Sequence, residues 1–309
     1  MTAAVHRAAT PVVDRARETE LLEAALASGA HVVLEGPPGT GKSTLLRQVA
    51  ARREAPFFLV EGNAELTPAR LVGHFDPSLV LARGYTPDVF VDGPLLAAMR
   101  DGGLLYVEEL NRVPEETLNA LLTVMSEREI VVPRLGLVAA AEGFGIVAAM
   151  NPYDAVGTAR VSSAIYDRTC RIVMGYQSAA AEEQIAAYRA PMPSPAWCAR
   201  AVALVRATRD HPDLRIGASV RGAIDLGGLA HQLARARGTG AEDWHVGLDA
   251  ALVALSGRIR VAEASVRSPE DVVTELYRDV FGPPPEERGA DDEDAADGGG
   301  GAGEARPRP

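Results

Sequence analysis

The sequence predicts an α/β domain built on a parallel sheet, followed by an all-helical domain and a disordered acidic tail. Three observations carry this. Short apolar runs at His31–Glu35, Gly103–Glu109 and Gly145–Met150 have the length and near-continuous hydrophobicity of strands buried on both faces. A glycine-rich loop and an apolar-periodic helix directly follow the first of these runs. After Ser178 the texture changes to helices only, with Ala/Leu/Val-rich segments at helical period. The expected boundaries are 1–13 for a flexible start, 14–177 for the α/β domain, 178–282 for the helical domain and 283–309 for the tail.

Taken in order, Arg15 to Ser28 reads as an amphipathic helix with Leu21, Leu22, Ala25 and Leu26 on one side and Gly29 as its stop. The strand His31–Glu35 leads into the loop Gly36-Pro37-Pro38-Gly39-Thr40-Gly41-Lys42-Ser43, and residues 43–53 continue as a helix. Pro56 to Gly62 reads as a second strand. Leu79-Val80-Leu81 and Val89-Phe90-Val91 are expected to pair as short strands joined through Gly84, before a helix over Pro94–Arg100. The strand Gly103–Glu109 ends in two acids. Pro114 to Glu127 is a helix, with Pro114 in its first turn and Glu115 and Glu116 near its positive end. Glu129 to Val138 suggests a hairpin, and Gly145–Met150 is a buried strand that delivers Asn151-Pro152. Residues 162–168 lead into a fifth strand over Cys170–Met174. Helices are then expected near 179–190, 195–209, 219–236, 242–260 and 269–281, the last with Ser268-Pro269 as its start.

The loop at 36–43 fits G-x-x-x-x-G-K-[ST] and sits in the strand–loop–helix context that this P-loop motif requires. Its glycines let backbone N–H groups turn inward around phosphates, and the following helix start adds a positive dipole end. Lys42 is expected on the β- and γ-phosphates and Ser43 on Mg²⁺, with Thr44 beside it. The chain holds 31 Lys+Arg, and Lys42 is the only lysine among them. So arginine-biased a chain keeps a lysine where a planar fork would not fit between phosphates. Some 65 residues on, Glu108 and Glu109 end a buried strand; an acid there holds Mg²⁺ through water, and a second can orient or deprotonate an attacking water. Asn151, at the end of another strand, could touch a γ-phosphate or that water.

Composition sets limits. The formal net charge is −11, and residues 283–309 contribute eight acids against three arginines, which argues against a general nucleic-acid binder. No apolar run approaches the ~20 residues needed to cross a bilayer. The first residues lack a signal-peptide layout, and Cys170 and Cys198 form neither a disulfide framework nor a metal spacing, so a cytoplasmic protein is expected.

With these residues in hand, the chain resembles the AAA+ ATPases, and within them the MoxR family. Gly36–Ser43 is similar to Walker A, and Leu104–Glu109 with Leu110-Asn111-Arg112 to Walker B and its following Asn-Arg. Glu127-Arg128-Glu129 closes the next helix as the family does. Phe144 to Pro152 resembles the sensor 1 strand, Asp167-Arg168 the arginine-finger position, and Gly217-Ala218-Ser219-Val220-Arg221 sensor 2. Residues 73–92 lie where the family carries an insert, and 129–143 where it carries the pre-sensor 1 hairpin. The resemblance implies a P-loop NTPase core of AAA+ type with a helical lid, ATP and Mg²⁺ as ligands, and a homo-oligomeric ring, a hexamer by analogy. It implies Glu109 as the residue activating water, Asn151 as its positioner, and Arg221 as the lid's γ-phosphate sensor. Arg168 would be the finger reaching a neighbouring site, with Arg171 and Arg160 as alternatives. It also implies a chaperone-like role on a client protein complex, often with a separate von Willebrand factor type A domain protein. One departure stands out: the family usually ends Walker B in Asp-Glu, and here the pair is Glu108-Glu109. Two other classes compete. One is an ATP-binding assembly scaffold with weak turnover, prompted by Glu108. The other is a nucleic-acid motor, which would want a basic hairpin where this one carries only Arg134.

Overall fold

The computed structural model describes residues 12–152 and 163–286, and the chain divides into two units between Gln177 and Ser178. Expectations for most of the 1–13 start, for Arg160 and for nearly all of the tail lie outside the described residues.

The first unit begins with α1 (Ala16–Ala27), β1 (His31–Glu35), α2 (Lys42–Arg52) and β2 (Phe57–Glu61). Next come α3 (Pro68–Val72), β3 (Gly73–Phe75), α4 (Pro77–Arg83), β4 (Phe90–Asp92) and α5 (Pro94–Asp101). β5 (Leu104–Glu108), α6 (Glu115–Glu127), the hairpin β6 (Glu129–Val132) and β7 (Gly136–Ala139), and β8 (Gly145–Met150) follow. A short α7 (Ser163–Asp167) and β9 (Thr169–Val173) complete it. Five strands form one sheet in the order β2-β5-β8-β1-β9, and every neighbouring pair is parallel.

Strand alternation decides which side chain meets which helix layer. Leu105 and Val107 of β5 enter a core with residues of α3, α5 and α6, including Leu71, Leu95, Leu96, Leu121 and Val124. Leu104 and Tyr106 face the other way, into a core with Leu22 and Leu26 of α1 and Leu45, Leu46 and Val49 of α2. The middle of the sheet is therefore filled on both sides, which is why β1, β5 and β8 read as near-continuous apolar runs.

Two expectations need correction here. Leu79–Leu81 is not a strand: it lies in α4, whose cap Asp76 accepts from the N–H groups of Ser78 and Leu79 ahead of Pro77 at the helix start. The strand that pairs with Phe90–Asp92 is Gly73–Phe75. The apolar triplet misled because it is not buried; Leu81 is 91% exposed. Pro114 is the N-cap of α6 rather than part of its first turn.

The second unit contains α8 (Ala179–Arg189), α9 (Pro195–Asp210), β10 (Leu214–Ile216), α10 (Val220–Arg237), α11 (Trp244–Leu255), β11 (Arg260–Val261) and α12 (Pro269–Phe281). It is helical around its own core, centred on Trp197, Leu204, Leu226, Leu255 and Tyr277. The expectation of helices only is amended by a small antiparallel ladder of β10 with β11. The expected helix over 242–260 stops at Leu255, and its last residues feed that ladder. α12 begins with a capping box in which Ser268 and Asp271 satisfy each other's backbone N–H groups.

Candidate nucleotide-binding site

The sheet order sets β5, β8 and β1 side by side, so their carboxyl ends converge on one edge. That edge is where open parallel sheets bind ligands. β1 delivers the loop 36–43, β5 delivers Glu108 and Glu109, and β8 delivers Asn151. Register places Met150 opposite Glu35, so half-buried Asn151 follows alongside Gly36.

The loop is shaped by close approach. A Cβ on Gly36 would lie 2.1 Å from the carbonyl oxygen of Met174, so no larger residue fits. Gly41, the N-cap of α2, has φ 87°, a left-handed conformation that favours glycine. It offers no side-chain cap to the first turn of α2. Backbone N–H groups at an uncapped helix start suit an anion. Thr40 is fully buried, and its hydroxyl donates to the Pro37 carbonyl at 3.0 Å. The Lys42 ammonium donates to the carbonyls of Gly36 (2.8 Å) and Pro37 (2.9 Å). From behind, buried Arg15 donates to the Thr40 carbonyl at 3.1 Å and the Gly175 carbonyl at 2.5 Å, while pairing with Glu18 at 2.7 Å. The sequence reading did not single out Arg15, because nothing in Asp14-Arg15-Ala16-Arg17-Glu18 sets it apart from Arg17.

The two acids do different things. Glu108 accepts a hydrogen bond from the Ser43 hydroxyl at 2.8 Å, and the Tyr106 hydroxyl stands 3.0 Å from the same Ser43 oxygen. Glu109 has a left-handed backbone (φ 52°), which turns it away from the strand line. Its carboxylate pairs with Arg112 at 3.1 Å, both side chains being about two-fifths exposed (42% and 43%). Tyr106 and Arg112 were missed as site residues.

Ser43 and Glu108 offer hard oxygen donors at the end of the phosphate loop, a set that fits Mg²⁺. Among the described residues no cluster of three His, Cys, Asp or Glu side chains could hold a metal by itself.

The arginines are held differently. Arg168 donates to the Ser126 hydroxyl (2.6 Å) and the Ala164 carbonyl (3.0 Å), and lies 3.5 Å from Asp167. Arg171 is tied to the nearly buried Glu35. Arg221 is exposed in the first turn of α10, in the second unit. Buried His31, at the start of β1, accepts from the Ile146 N–H at 3.0 Å. Burial first, and the Arg128 charge second, push its pKa down to about 4.

Residues 31–169 match the AAA domain of the dynein-related subfamily. This stretch is similar to an AAA domain. The matched stretch runs from β1 to the first residue of β9 and includes the glycine-rich loop, both acids, Asn151 and Arg168. An uncharacterized protein of Staphylococcus haemolyticus (strain JCSC1435) is 34% identical over 148 residues, 47% of this chain and 56% of the relative. One from Staphylococcus aureus (strain USA300) matches with the same identity and coverage: 34% over 148 residues. The chain spans about half the length of the curated relatives it matches. Among solved structures, a candidate ATPase from Cytophaga hutchinsonii is 20% identical, with a TM-score of 0.47 over 86% of this chain and 90% of the other. The Holliday junction branch migration motor RuvB of Thermotoga maritima is 16% identical, with a TM-score of 0.48 over 88% of this chain and 72% of the other. No helix among the described residues is long and apolar enough to cross a membrane.

Proposed function

We propose that this chain is an ATPase of the MoxR type. It works as a homo-oligomeric ring, a hexamer by that likeness, to remodel, mature or insert metal into a partner protein complex, acting with a separate von Willebrand factor type A domain protein. Residues Gly36 to Ser43, with Thr44, cradle the phosphates of ATP through backbone N–H groups. Lys42 exchanges its bonds to the Gly36 and Pro37 carbonyls for phosphate oxygens. Ser43 and Glu108 hold the cation side; Mg²⁺, when bound, offsets phosphate charge. Glu109 takes the proton of the attacking water and Asn151 orients that water. Arg168 offsets developing charge in a neighbouring subunit's site, and Arg221 reads the γ-phosphate.

The observation that carries the ATPase reading is the 2.8 Å contact between Ser43 and Glu108, which joins loop and strand end with Glu109 as the next residue. Replacing Glu109 by Gln keeps shape and removes the base. Steady-state hydrolysis is expected to fall by about 10²-fold or more while ATP binding persists. Hydrolysis at the wild-type rate would sink the assignment.

A second reading, an ATP-binding scaffold with weak turnover, draws on the Glu109–Arg112 pair, which ties the carboxylate to a cation of its own loop.

A further inference from the structure

Tyr106 is a fully buried residue with a polar group at the site that the proposed chemistry leaves unused. It precedes Glu108 by two positions, so strand alternation sets both on the face of the sheet covered by α2. Phe57 flanks its ring, with centroids 6.1 Å apart. The phenol cannot swing away from the Ser43 oxygen without breaking this packing.

Counting protons assigns the direction of each bond. A serine hydroxyl has one proton and two lone pairs, whereas a carboxylate only accepts. Ser43 gives its proton to Glu108. In the 3.0 Å contact the phenol is therefore the donor, and the Ser43 oxygen accepts. One lone pair of Ser43 is then engaged by Tyr106, and the proton by Glu108. A single lone pair remains, and its direction is determined by the other two bonds.

We propose that Tyr106 is a positioning residue for the divalent-cation side of the nucleotide site, orienting the Ser43 hydroxyl so that its remaining lone pair faces the ion. This rests on the nucleotide-binding reading above. With Tyr106 absent, Ser43 can rotate about its side-chain bond, and the ion loses a preset oxygen without losing a ligand. Partners that orient metal ligands in this way are commonly worth about tenfold or more in metal affinity.

The test is Tyr106→Phe, which keeps the ring and deletes the hydroxyl. ADP is titrated by calorimetry into the full chain at stepped Mg²⁺ concentrations, so no turnover is needed. The Mg²⁺ concentration giving half of the metal-dependent gain in ADP affinity is expected to rise about tenfold. ADP affinity in EDTA should stay at the wild-type value. In a Ser43→Ala background, Tyr106→Phe is expected to add nothing, because its effect passes through Ser43. An unchanged Mg²⁺ midpoint in Tyr106→Phe, with Ser43→Ala raising it, overturns the role of Tyr106 alone. So does an effect that persists in the Ser43→Ala background. Wild-type ADP binding that is absent or indifferent to Mg²⁺ overturns the nucleotide reading and this role together.

Discussion

At the residue scale, the two acids of β5 are treated unequally by their surroundings. Glu108 continues the strand and meets Ser43 at 2.8 Å, whereas Glu109 turns into a left-handed conformation and meets Arg112. An ion pair between half-exposed side chains is worth about 1 kcal/mol at most. Such a pair can slow a proton acceptor but cannot silence it. Arg112→Gln is accordingly expected to raise steady-state ATP hydrolysis by about two- to fivefold, with the melting temperature falling by no more than about 2–4 °C. A fall in rate would mean that Arg112 orients Glu109 instead of restraining it. His31 supplies a second residue-level expectation. The folded chain keeps its imidazole neutral down to about pH 4, whereas an unfolded chain protonates it near the ordinary 6.5. Its contribution is complete above pH 6.5 and is lost as pH falls toward 4, by about 3 kcal/mol. In thermal melts across that window, His31→Asn should show a flatter loss than wild type, since its amide oxygen still accepts from Ile146.

At the element scale, the part of the site carried by consecutive residues was readable directly. The P-loop is one unbroken stretch, and β5 and β8 announce themselves as apolar runs ending in polar residues. What could not be read was who stands opposite whom. Tyr106 looked like one more apolar strand residue until α2 was seen to cover its face of the sheet. The 73–92 region misled for the opposite reason: Asp76-Pro77 is a helix start, but an apolar triplet beside it resembled a strand that would be buried. That region folds as β3–α4–β4 around Phe75, Tyr85 and Phe90, with ring centroids 5.1 and 4.9 Å from Phe75. The β6–β7 hairpin touches it through Arg134, whose guanidinium lies 3.7 Å from the Tyr85 ring centroid. This cation is stacked on an aromatic ring, which weakens the case for a nucleic-acid motor using the hairpin. A double-mutant cycle of Tyr85→Ala with Arg134→Ala is expected to give a coupling of about 0.5–1 kcal/mol in stability. Additive effects would mean that insert and hairpin act separately.

At the scale of the whole molecule, the proposed ring makes a prediction that no monomer can imitate. If Glu109 acts within its own subunit and Arg168 in the next, Glu109→Gln and Arg168→Ala chains each fail alone but complement when mixed. Random one-to-one assembly should restore about a quarter of the wild-type sites, read as ATP hydrolysis after mixing. No recovery would argue against a shared site or against Arg168 as the finger. Arg171, tied to Glu35 on its own sheet, is the alternative that the same mixing experiment with Arg171→Ala tests.

The P-loop ammonium of Lys42, turned back on two carbonyls of its own loop, has a practical corollary. Because no other lysine exists in the chain, reductive ¹³C-methylation would install a single side-chain label, within the proposed nucleotide seat. Its resonance would report whether the proposed phosphate seat is filled.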